Sequence, residues 1–478
     1  IMSRSLYKII LNKYFVSFIF VSHIFLWKFV YSKKNTPYET EFTFFQLKFL
    51  FLILLIPAFI KFLTELKNKD YKFIKYFSFF CGFLFLHTGL NLYFDNQQIT
   101  QVILAKTVLL ILIFVIAYYY YKEIIKNLDL IINIFLILFL LSCFISFFNY
   151  QKDAPFFCGG ISDIFGLTYG MHGIDPDTPA HASAHVTKMI VGNYVKISFR
   201  EFIFLENSHL GMIAPAVLAY TIFRLFKNFN KFNLITTLLF FIICLFKSST
   251  TLLMGFSASL IGIILFNYKF IPKKVILIYL LLVTGCIYTL SIDSECKSRW
   301  ASATYGNYNS LSNSIVEINE NRIDGSLSSA VTFNSLRIAK ESILNKPFGW
   351  GANRYVDAFN YYNKLNTKLP KGTYNEFGEY EVKIDFIEYL YSFNSSDASN
   401  NIVKMSVEFG VFVILIFLIL FLYTINKSIP IEHKLFFIPF IGTQMLRGAG
   451  YFNSGFLLIA LLIIFSYLEK SNFINNKN

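Results

Sequence analysis

The sequence predicts an all-α fold: a polytopic membrane helical bundle of about 12 transmembrane helices with two large extracytoplasmic loops. Three observations predict it. Hydrophobic residues make up 55% of the 478 and charged residues only 15%, with a mean hydropathy of +0.53, whereas a soluble domain carries about 25% charged residues. The apolar residues gather into runs close to the ~20 needed to cross the hydrocarbon as a helix. The cations collect in the short segments between alternate runs, as topology signals do.

Taken in order, the apolar runs place helices near 14–31, 42–62, 73–93, 102–120, 129–148, 209–226, 234–247, 251–267, 274–292, 401–423, 434–449 and 452–468. The chain begins Ile1-Met2, so Met2 is the expected start, and the first run lacks a small-residue cleavage site behind it, so it is expected to stay as a helix. The seventh and eighth runs are parted only by Lys247-Ser248-Ser249-Thr250, and the last two are short enough for a re-entrant hairpin. This divides the chain into N-terminal helices (1–148), a first large loop (149–208), a middle group of helices (209–292), a second large loop (293–400) and C-terminal helices (401–478).

With the N-terminus inside, the cytoplasmic segments hold twenty Lys and Arg and the short outer loops five (Lys28, Lys33, Lys34, Lys247 and Arg447). That asymmetry puts both termini in the cytoplasm and both large loops outside. The net charge of +14 is therefore a topology signal, not a nucleic-acid groove: no folded face gathers the lysines. Six cysteines stand singly without metal-ligand spacing. Cys158 and Cys296 fall in the two loops, where a disulfide between them is open. His181 and His185 stand four apart near His172, but after Pro179 with no helix predicted, so no metal site is expected.

The arginines carry the most information. Only eight of the 43 basic residues are Arg, and six lie on the predicted outer side: Arg200, Arg299, Arg322, Arg337, Arg354 and Arg447. A planar guanidinium fork grips phosphate at two points and stays charged near a bilayer. The alternative partners are loop carboxylates such as Asp293, Glu295 and Glu317. Where the first loop re-enters the membrane, Arg200 stands near Glu206, either a base or the salt-bridge partner of Arg200, and His209, either a titrating imidazole or a polar helix-end residue at the interface. Leu327 to Leu344 reads as an amphipathic helix with Leu336, Ala339 and Ile343 on its apolar face, ending at Pro347, Gly349 and Gly351. Arg337 and Lys340 share a face of it. Gly349 and Gly351 either admit backbone close to a ligand or only terminate the helix. Asn400 and Asn401 precede a helix carrying Glu408 two turns in, either a functional carboxylate or one near the interface. Arg447 either binds phosphate or anchors at the interface.

At these residues the chain resembles the O-antigen polymerase and O-antigen ligase superfamily of bacterial inner-membrane glycosyltransferases. The matching strings are Arg200, ten residues, then Gly211; Arg337 leading an amphipathic helix into Pro347-x-Gly349-x-Gly351, with eleven residues before Gly349; and Asn400-Asn401-Ile402 running to Glu408-Phe409-Gly410. The second large loop has no His, and Asn400 stands where a ligase-like protein has one. The family's Thr-x-Ser-Arg-like turn is Lys247-Ser248-Ser249-Thr250 here, with Lys247 as a point charge in place of Arg. The resemblance implies polymerisation of oligosaccharide repeats carried on undecaprenyl pyrophosphate. It casts Arg200, Arg337, Glu206 and His209 as catalytic, and Lys247, Lys340, Gly349, Gly351, Asn400, Asn401 and Arg447 as substrate-binding. It implies neither cofactor nor metal; the partners are the lipid-linked glycan, membrane lipids and a chain-length regulator. The second choice is a ligase or protein O-oligosaccharyltransferase, and the third a flippase for lipid-linked sugars.

Overall fold

The computed structural model describes residues 12–25, 47–94, 101–148, 207–246, 250–267, 273–292, 327–363, 373–374, 380–381, 395, 398, 400–448, 450–452 and 455–475. Helices dominate these residues, with one two-residue antiparallel ladder, Thr373–Tyr374 against Tyr380–Glu381. The helices are α1 (Lys13–Ile24), α2 (Leu55–Lys67, preceded by a 3₁₀ segment Leu47–Leu54), α3 (Lys72–Phe94), α4 (Gln101–Lys126) and α5 (Leu128–Phe148). They continue with α6 (Asn207–Lys227), α7 (Lys231–Phe246), α8 (Thr250–Asn267), α9 (Lys273–Ile292), α10 (Leu327–Asn345) and α11 (Tyr355–Asn363). The last four are α12 (Asn401–Phe409), α13 (Val413–Ile425), α14 (Ile431–Leu446) and α15 (Phe456–Asn475).

Among the described residues, four stretches are long and apolar enough to cross a membrane: Phe49–Lys67, Ile103–Lys126, Leu210–Lys227 and Asn401–Ile425. Their sides differ. Of the most apolar window of Leu210–Lys227, 83% is buried in protein, against 28% for Asn401–Ile425. So α6 is the axis of the bundle, while α13 turns Ile414, Leu415, Leu418 and Phe421 outward. An exposed band of that kind, on a helix apolar all round, suits a lipid surround and not water.

The axis is made by small residues. Gly211 on α6 lies against the α8 backbone, so a Cβ there would come within 2.8 Å of the Leu252 nitrogen. Gly255 on α8 faces Pro215 of α6 and Thr443 of α14 at similar range. In lipid the hydrophobic effect does not drive helices together, so close backbone approach over small residues does that work through dispersion. Around this trio α4 packs on α15, and α1 on α5 and the 3₁₀ segment.

Two expectations need correction. The tenth apolar run is not one helix: it breaks at Gly410 (φ +57°), where a 3₁₀ turn Gly410–Phe412 separates α12 from α13. And α10 does not bury the face its apolar pattern suggested. Leu336 and Ile343 are 47% and 40% exposed, while Asn334, Ser335, Ile338, Ala339 and Ser342 are buried. The reason is the close packing of α10 on α12 and α11, which favours small side chains at the contact.

Candidate functional site

The polar interior of the molecule is concentrated where α10 turns back across the break between α12 and α13. After α10, Lys346 to Arg354 form a strap held to the α12 end by backbone bonds. Trp350 N–H donates to the Val407 carbonyl (2.9 Å), Gly351 N–H to the Glu408 carbonyl (2.9 Å), and Val411 N–H to the Pro347 carbonyl (2.8 Å). The break explains these bonds. Carbonyls near the end of α12 lose their helical partners at Gly410, and the strap supplies donors in their place. Irregular backbone beside an apolar span is tolerated when it is satisfied within protein in this way.

Glycine is required at the crossing. Gly349 has φ +86°, and a Cβ on it would collide with the Glu408 carbonyl; one on Gly410 would collide with the Pro347 carbonyl. Gly351 (φ +100°) lies over Thr88 of α3. Ala352 N–H donates to Thr88 Oγ1 (3.3 Å), and the His87 Nε2 proton goes to the Phe348 carbonyl at 2.6 Å. The strap is thus clamped between α3 and α12. The space that Gly349 leaves is filled by the chain's own backbone, so Gly349 serves this crossing and not a ligand's approach.

Beneath the strap lies Glu408, wholly buried. Its carboxylate accepts from Asn353 N–H (2.9 Å) and Tyr355 N–H (3.2 Å). It also accepts a short bond from the Tyr451 hydroxyl. The two N–H groups open α11, so the carboxylate sits at a helix N-terminus, where the dipole favours negative charge. Lys404 is one helical turn away on the same face of α12, also buried, with its ammonium 5.2 Å from the Tyr451 ring centre. Tyr451 lies between α14 and α15; burial and then the neighbouring Glu408 charge push its phenol well above the usual range. It therefore stays protonated and donates. The same hydroxyl lies 3.0 Å from the Asn353 amide, which reaches Thr107 of α4 at 3.4 Å. One carboxylate thus ties together the strap, α12 and the α14–α15 turn, and through Asn353 reaches α4. Arg354, fully buried, closes the strap with Nε 2.7 Å from Asp357.

The residues singled out from sequence fall in three groups. Arg337, Lys340, Gly349, Gly351, Asn400 and Asn401 lie on the strap, on α10 or at the start of α12. Arg337 is exposed and reaches the side-chain oxygens of Asn334 (2.9 Å) and Asn363. Lys340 is exposed. Asn400 caps α12, its Oδ1 accepting from Val403 N–H at 2.8 Å. Asn401 is fully buried beneath Gly448, and neither atom of its amide hydrogen-bonds among the described residues. Arg447, half-buried, ends α14 beside that glycine. His209 lies on the first turn of α6 by its backbone. Arg200, Glu206, Lys247, Cys158, Cys296 and the three histidines at 172, 181 and 185 lie outside the described residues.

Sequence reasoning passed over Asn353, Tyr355, Tyr451 and Lys404, and left Glu408 undecided. A signal existed for the last pair: Lys404 and Glu408 stand one turn apart in an otherwise apolar run, where charge is costly unless compensated. Nothing in the sequence pointed to Tyr451 or to the two backbone N–H groups.

These features define a class: an all-helical protein, several of whose helices are apolar enough to cross a membrane, with a buried polar junction at one end. No protein-family model matches the chain, and neither does any curated protein or solved structure.

Proposed function

We propose that the chain is a bacterial inner-membrane glycosyltransferase of the O-antigen polymerase kind, crossing the membrane twelve times with both termini cytoplasmic. One observation carries the reading. Two of the strings that resemble that superfamily, Arg337 to Gly351 and Asn400 to Gly410, lie about fifty residues apart in sequence, yet close on each other as one unit through Trp350, Gly351 and Val411. Topology adds support. Lys61 pairs with Glu123, Arg224 with Asp129 and Lys227 with Glu432 at the end of the bundle away from Glu408, as a cytoplasmic basic belt would.

In this reading the donor is a glycan chain on undecaprenyl pyrophosphate. A sugar hydroxyl of a second carrier-linked repeat attacks the donor's anomeric carbon. The carbon–oxygen bond to the diphosphate breaks with its electron pair, and the hydroxyl proton passes to a base. Charge grows on the departing diphosphate, so guanidinium groups placed there stabilise the transition state more than the ground state. Arg200, Arg337 and Arg447 take that role, and Glu206 or His209 that of the base. Glu408 is not the base: its carboxylate already accepts from Asn353, Tyr355 and Tyr451.

The test is deletion of the gene followed by analysis of surface glycan. Loss of a polymerase leaves single repeats, loss of a ligase leaves long carrier-bound chains, and loss of a flippase traps repeats inside. Arg200→Ala and Arg337→Ala are each expected to abolish chains beyond one repeat, with Lys restoring them in part because it lacks the fork. Normal chain lengths in both Ala variants would end the assignment.

A further inference from the structure

The helix α10 is inside out for a protein in water. Its buried side carries Asn334, Ser335 and Ser342 beside Ile338 and Ala339, while Leu336, Ile343 and Leu344 are 47%, 40% and 69% exposed. At 100° per residue, Leu336, Lys340, Ile343 and Leu344 project within an arc of about 100°. Just beyond, Phe348 is 62% exposed and touches Phe412 with ring centres 6.1 Å apart. Phe412 begins the outward-facing band of the Asn401–Ile425 span, which continues through Val411, Ile414 and Leu415. The exposed side of the α10 end is therefore joined through Phe348 and Phe412 to the exposed apolar side of the Asn401–Ile425 span. Two cations, Arg337 and Lys340, stand in or beside the exposed face of α10.

We propose that α10 and the Phe348 turn form a membrane-surface element. Leu336, Ile343, Leu344 and Phe348 insert into the leaflet at the Glu408 end of the bundle, and Lys340 reaches up to lipid phosphates. The partner is the bilayer itself. Large apolar side chains on one face with cations at its margin is the arrangement by which helices lie in the interface, and long cationic stems allow the charge to stay at headgroup level. The element would seat the strap and its buried carboxylate at the depth where the head of a lipid-borne molecule lies. The inference goes beyond the glycosyltransferase reading, and requires only that the protein is membrane-embedded.

The experiment uses the full chain with its six cysteines replaced, carrying one new cysteine at a time, Leu344→Cys or Phe348→Cys, labelled with an environment-sensitive fluorophore. The protein is reconstituted in nanodiscs of phosphatidylcholine with or without phosphatidylglycerol. Both labels are expected to be quenched by lipids spin-labelled near the headgroup end of the acyl chain, and not by aqueous iodide. A label at Asn345→Cys, on the polar edge of the helix, is expected to show the reverse. Phosphatidylglycerol should shift the Leu344 label further to the blue, and Lys340→Gln should reduce that shift. Iodide quenching at Leu344 and Phe348 would mean that the face meets water. Protection from both quenchers would mean that another part of the chain, or a second copy, covers it. Either result overturns the proposal, while normal chain lengths in Arg200→Ala and Arg337→Ala, with lipid quenching kept, would count only against the glycosyltransferase reading. No change of the Leu344 label on Lys340→Gln, in either lipid, would overturn the phosphate contacts.

Discussion

The two ends of the helical bundle are held by different physics. At the end away from Glu408 three charge pairs lie open to solvent, Lys61 with Glu123, Lys122 with Glu469 and Lys227 with Glu432, while a buried Arg224 meets an Asp129 that is 63% exposed. At the other end a single carboxylate, wholly enclosed, is matched by two backbone N–H groups and a hydroxyl. Exposed pairs stabilise by about 0–1 kcal/mol each, since solvent screens them and two long side chains must be ordered. A buried charge is different. Its desolvation is costly, and the structure tolerates it only while each partner is in place. The comparison teaches where the fold is brittle: at the strap and not at the belt, although the belt has more ion pairs.

Substitutions can break or sharpen this contrast. Glu408→Ala should have the largest effect. It strands the buried N–H groups of Asn353 and Tyr355 and the Tyr451 hydroxyl, for a loss of about 3–5 kcal/mol. Thermal unfolding of the protein in nanodiscs measures this, and a change under about 1 kcal/mol would show that the junction is not the brittle end. Gly410→Ala should follow, at roughly 3 kcal/mol, because the new methyl cannot share space with the Pro347 carbonyl and the backbone is left-handed there. Tyr451→Phe removes one donor from the carboxylate and should cost about 1–3 kcal/mol with the fold kept. Lys227→Ala, at the belt, should stay within about 1 kcal/mol and vanish in high salt. A belt substitution as damaging as Tyr451→Phe would erase the distinction between the ends.

Much of the helical architecture is legible in the sequence because it rests on local pattern. The run expected at 73–93 is α3, and that expected at 274–292 is α9, each displaced by no more than one residue. Length and apolarity are enough to place such helices. The break in the tenth run is legible only in hindsight: Gly410 looks like any glycine in an apolar helix until Pro347 is seen to occupy the space a side chain would need. For α10 the pattern misled. Leu336, Ala339 and Ile343 repeat as a core stripe should, but periodicity identifies an apolar face without saying whether protein or lipid covers it, and the neighbour's demand for small residues decided the rest.

The candidate site divides in the same way. Arg337, Gly349, Gly351, Asn400 and Asn401 stood out by residue type and spacing, and they do lie on adjoining elements. The residues that hold those elements together did not stand out. Tyr451 belongs to a turn after α14, and the donors to Glu408 are peptide groups, which every residue possesses.

By itself the sequence determined much of what becomes helix, since apolar runs of about 20 residues suit a helix, which satisfies its backbone within one segment, and are too long for barrel strands. Which helix forms the axis, which face of α10 is turned outward, and that Glu408 has its partners were decided by tertiary packing alone. Those outcomes depend on distances between segments far apart in the chain, and no local pattern encodes such distances.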